Sequence, residues 1–148
     1  MKKAQSQILK LTALSLVAAH FLVVVLHSAA HEILSVKASA AQLAFIFPVI
    51  IVAPVAAGFL LLKHEKAGAY LLTVSLAGSF FFGLYYHFVA RTHDHVEHVA
   101  VLQPTLWASV FEATAYLLVI TEELGVCVGL MILSRFYFLK KYEARTGF

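Results

Sequence analysis

The stretch Leu11–His31, LTALSLVAAHFLVVVLHSAAH, decides the class of this protein. It contains no Asp, Glu, Lys or Arg. It is also long enough to supply the roughly 20 residues that an α-helix needs to cross a bilayer. Three histidines interrupt it. At about 100° per residue, His27 and His31 stand about 40° apart on one helical face, and His20 lies about 20° from His27. Lipid tolerates such a stripe poorly, so the imidazoles must face protein or a water-filled interior. A helix with an apolar body and a histidine face implies a bundle of spans around a polar centre.

The rest of the chain agrees. Of its 148 residues, 61% are hydrophobic and only 13% are charged, with mean hydropathy +0.87. Soluble domains carry roughly 25% charged residues. The expected fold is therefore all-α, an integral membrane four-helix bundle, with spans over about 8–36, 40–62, 68–89 and 104–138. The whole of 1–148 forms one multi-pass domain whose main partner is the lipid bilayer of the cell inner or plasma membrane. Four spans account for most of this length, so one domain without a soluble catalytic module is the expectation. The single cysteine, Cys127, excludes an intramolecular disulfide and any CxxC motif. The +3 charge reflects basic residues flanking the spans and does not call for nucleic acid.

Ala38-Ser39-Ala40 offers a small-x-small signal-peptidase site after the first run. Signal-peptide cores are only about 7–15 residues long, however, so retention as a true span is the expectation. Four spans put both termini on one side. Lys2, Lys3, Lys10, Lys63, Lys66, Arg135, Lys140, Lys141 and Arg145 then share that side, against Lys37 and Arg91 opposite. The positive-inside rule makes the shared side, and both termini, cytoplasmic.

The second span carries Pro48 and Pro54, which remove backbone donors and invite a kink. The third has Gly83 one turn before His87, leaving open space below the imidazole. Pro104 is a favourable first-turn residue for the fourth. In that last span Gly125 and Gly129 form a GxxxG pattern, fitted to tight packing inside the bundle or to a homodimer or membrane-complex partner.

The same span carries Glu112, Glu122 and Glu123. Glu112, Tyr116 and Glu123 share one stripe, and a central lipid-facing acid costs about 2.5–3.5 kcal/mol, so this stripe is expected to face inward. Two polar layers follow from the helical rise. The outer one holds His27, His31, His87 and Glu112. The deeper one holds His20 and the adjacent Glu122 and Glu123, of which only Glu123 shares the Glu112 stripe, and His20, Tyr116 and Glu123 are the candidates for a proton relay.

The outer layer fits metal chemistry. His-x3-His places two imidazoles one turn apart, and His87 with Glu112 completes a three-histidine, one-carboxylate set suited to Fe, Cu or Zn. His93, Asp94, His95 and His98 in the one long loop are candidates for a lid or second site, with a short helix there bringing His95 and His98 to i, i+3 spacing. The alternatives are haem b between two histidines of different spans, and a subunit moving protons or ions through a His/Glu relay. The sequence contains no GxSxG, HExxH or phosphate-binding glycine loop, and no HxxHH box of the membrane di-iron desaturases.

Overall fold

A computed structural model of the chain describes the backbone of residues 2–102 and 105–146, and the side chains of 4–101 and 105–138. All regular structure among them is helical: α1 (Lys2–Ile33), α2 (Ala40–Phe45), α3 (Ala53–Lys63), α4 (Glu65–Leu84), α5 (Val96–Leu102) and α6 (Leu106–Thr146). Two π-helical stretches join in, Ile46–Val52 between α2 and α3, and Tyr85–Val89 at the end of α4. Four segments are long and apolar enough to cross a membrane: Ala4–Ile33, Ala40–Lys63, Glu65–Val89 and Leu106–Phe138. They match the four expected spans. Pro104 lies outside the described residues.

The segments pack as a ring. α6 lies against α1 and α4, and α3 against α4 and α1. Gly125 and Gly129 make the α4–α6 contact close. A Cβ at Gly125 would run into the Leu76 side chain, and one at Gly129 into Thr73 Oγ1. The GxxxG pattern thus faces α4 inside the bundle. The core at the terminal end joins Ala13, Ala57, Leu61, Leu72, Leu76 and Ile132. At the other end Ala30, Leu34, Val36, Val99, Phe111 and Ala115 form a second core that includes α5. Large apolar side chains such as Phe47, Phe59, Tyr70 and Phe81 point outward, as lipid contact requires.

The proline-bearing span runs through a π-helical stretch. Between Pro48 and Pro54 the ladder shifts to i→i+5, with the Ala53 N–H bonding the Pro48 carbonyl. Pro54 has no N–H to return to the Ile50 carbonyl, and His20 Nε2 donates to that carbonyl at 3.1 Å instead. This stretch packs on α4 and meets α1 through Ile50. Its Ile46 and Ile50 line a cavity of about 450 Å³ inside the bundle.

Candidate metal centre

Three imidazoles converge at the end of the bundle opposite the termini. One ligating nitrogen from each of His27, His31 and His87 lies within 4.8 Å of the others, and no other set of three or more His, Cys, Asp or Glu gathers in this way among the described residues. His27 and His31 come from α1, one turn apart. His87 comes from the π turn after α4, where Ala90 N–H reaches back to the Tyr85 carbonyl at 2.7 Å. Such turns re-aim a side chain without breaking the helix.

The partners of the Nδ1 atoms fix how each ring is used. His31 Nδ1 donates to the Val36 carbonyl at 2.8 Å and His87 Nδ1 to the Asp94 carbonyl at 2.9 Å. Thr114 Oγ1 stands 2.8 Å from His27 Nδ1 and also reaches the Val110 and Phe111 carbonyls. The neutral rings of His31 and His87 therefore carry hydrogen on Nδ1 and have a bare Nε2, and His27 joins them when Thr114 gives its one proton to a carbonyl. This is how metal-ligating histidines are held by the groups behind them.

The consequence is plain at the closest contact. His27 Nε2 and His87 Nε2 face one another at 3.2 Å. At that distance either His27 Nε2–H donates to His87 Nε2 or, with both nitrogens bare, a cation stands between them. On metal–nitrogen bonds of about 2.0–2.1 Å, 3.2 Å corresponds to a ligand–metal–ligand angle of roughly 100°, near tetrahedral. His31 stands wider, and drawing it in would complete three corners.

Local structure explains the positions. α1 ends in a turn that bonds Ser35 N–H to the Glu32 carbonyl and Val36 N–H to the His31 carbonyl, the Schellman arrangement. Ser35 takes the left-handed backbone there, with φ 55°, a conformation usually left to glycine. The turn carries the Val36 carbonyl back to His31 Nδ1. Asp94 performs the matching task for His87. Its carboxylate accepts from Gln42 Nε2 at 2.8 Å, and Gln42 is held by its capping box with Ser39. Phe111, fully buried, covers the rings from behind, its centroid 4.7 Å from His27, 4.9 Å from His31 and 5.5 Å from His87.

The fourth expected ligand is absent from this cluster. Glu112 is exposed on the outer face of α6, as are Tyr116 and Glu123. The face turned inward is instead Phe111, Thr114, Ala115, Leu118, Glu122, Gly125 and Gly129, all buried. The sequence expectation took three spaced polar residues as the inner stripe. Packing chose the neighbouring one, because its small residues let α4 and α1 approach. The relay through Tyr116 and Glu123 is therefore not assembled, and His20 faces Glu122, Nδ1 to Oε1 at 3.9 Å.

The loop histidines stand apart. His93 Nε2 donates to the Lys37 carbonyl at 2.8 Å, His95 Nδ1 accepts from Glu97 N–H at 3.3 Å, and His98 is exposed. Only Asp94 of that group supports the cluster. A short helix does follow, α5. Sequence reasoning missed Thr114, Phe111 and the two carbonyls. The run of small and Thr residues along α6 signalled the first two, but nothing local signals the carbonyls.

The cavity leads from this cluster into the bundle. His27, His31 and His87 border one end, Ser28, Glu32 and Lys37 its mouth, and Ser79 and Glu122 the far end. Comparison with protein-family models, curated proteins and solved structures finds no match to the chain.

Proposed function

We propose that this chain is an integral membrane protein that binds one transition-metal ion through Nε2 of His27, His31 and His87, leaving a coordination position open over the cavity. The observation that carries this reading is convergence: one ligating nitrogen from each ring lies within 4.8 Å of the others, and the Nδ1 atoms of His31 and His87 donate to carbonyls, which frees their Nε2 atoms. Three neutral nitrogen ligands without a carboxylate favour zinc or copper over iron. Three protein ligands plus an open position is the arrangement of sites that bind or activate a small exogenous ligand. With the basic residues cytoplasmic, the centre faces the extracytoplasmic side and takes its metal from there.

Haem fits less well. A macrocycle would have to enter between His27 and His87, whose nitrogens are 3.2 Å apart, and Phe111 closes the space beside them. Protein purified after growth with zinc, copper and iron should carry about one equivalent of metal and show no Soret band. His31→Ala should remove the metal while detergent-solubilised protein keeps its helical circular dichroism. Wild type that neither retains nor binds any of the three metals overturns the reading.

A further inference from the structure

The far end of the cavity is built from different groups and lacks what the first end has. Glu122 is 2% exposed, and its Oε2 has no hydrogen-bond partner among the described residues. Ser79 Oγ donates to Oε1. Behind it, His20 is 1% exposed, and its Nδ1 likewise lacks a hydrogen-bond partner. Because His20 Nε2 gives its proton to the Ile50 carbonyl, Nδ1 is an acceptor in the neutral ring. With Glu122 ionised, every open polar atom here accepts. A buried acceptor without a donor is costly in a low-dielectric interior, so this end is incomplete by itself.

The walls say what would complete it. Phe82 and Tyr86 line the same cavity as Glu122, with Gly83 between them in sequence. Gly83 places no side chain over Oε2, from which a Cβ there would lie 3.9 Å. The two rings meet at a centroid distance of 4.6 Å, and Phe45 stacks on Phe82 at 4.9 Å. Val24, Ile46 and Leu118 complete an apolar middle. A cavity that carries one carboxylate and two aromatic rings matches an organic cation, which gains a counter-charge and cation–π contact together. A metal ion fits worse, since one carboxylate, one hydroxyl and a set-back imidazole are its whole ligand supply.

We infer that Glu122, with Phe82 and Tyr86, forms a subsite for the ammonium group of a small amphipathic amine, whose apolar body lies along the cavity toward the histidines. Thr114 and Glu122 are two turns apart on α6, about 12 Å along the axis, which limits the occupant to a small molecule. The subsite rests on its own residues and stands whether or not the histidines hold metal.

The test uses the full chain in phosphatidylcholine nanodiscs, stripped of metal, with empty nanodiscs as the partition reference. Calorimetric titration with phenethylamine should give saturable 1:1 binding, and 2-phenylethanol, which lacks the charge, should bind at least about tenfold more weakly. Glu122→Gln should weaken the amine by a similar factor and leave the alcohol unchanged. Equal affinity for amine and alcohol in the wild type, or no saturable amine binding, overturns the inference without needing the variant to fold. A zinc titration is the second arm. One equivalent retained in Glu122→Gln leaves the subsite organic, whereas loss of a second equivalent from wild type to variant reassigns it to metal.

Discussion

The two ends of one cavity handle buried polarity in opposite ways. At the histidine end each ring has its outer nitrogen bonded to an oxygen, so only the inner nitrogens remain open, and they converge. At the Glu122 end the acceptors are oriented by one hydroxyl and one carbonyl, yet Glu122 Oε2 and His20 Nδ1 have no donor. The first end is preorganised around a point, as a metal ion requires. The second is an acceptor-lined, aromatic-walled pocket, which suits a larger cation carrying its own donors. The same apolar bundle supports both because α6 contributes to each along one stripe, through Phe111 and Thr114 above and Glu122 below.

The contrast predicts where substitutions act. The largest effect belongs to the ligands. His27→Ala or His87→Ala should weaken metal binding by more than about a hundredfold, beyond the 10–100-fold typical of outer-shell changes, as read by competition with a chromogenic chelator. Glu112→Gln should leave metal affinity unchanged, and a large loss there would break the assignment of α6's inner face. Thr114→Val keeps the shape but removes the hydroxyl bonded to His27 Nδ1. It should cost about tenfold in affinity without changing the amine subsite.

Packing variants come next. Gly129→Ala places a methyl group against Thr73 Oγ1 and should lower bundle stability by about 1–3 kcal/mol, measured by thermal unfolding in detergent. The smallest effect is expected at Ser35. Ser35→Gly relieves the left-handed backbone and should raise stability by up to about 1 kcal/mol with metal affinity retained. A marked loss of metal in Ser35→Gly would mean that the serine side chain, and not the turn, positions His31.

Much of the fold was legible because its signals are local. Hydropathy marked the four spans, proline marked the span with the π-helical stretch, and helical period put His27 and His31 on one face. His87 followed from its place at the end of a span. Glu112 misled because the cost of an exposed acid was applied at a helix end, where a carboxylate can reach the headgroups and the cost is small. Glu123 misled differently: it sits beside Glu122 in sequence, and 100° of rotation separates the inward acid from the outward one.

By itself the sequence determined a membrane chain of four helices with two histidines on one face, since apolar length and helical periodicity are properties of a single segment. The tertiary structure alone decided which face of α6 turns inward, because that rotation is set by how Gly125 and Gly129 meet α4 and how Phe111 meets the imidazoles. It alone decided the bare Nε2 atoms too, because their tautomers depend on carbonyls at Val36 and Asp94 that a turn and a loop carry back to rings earlier in the chain.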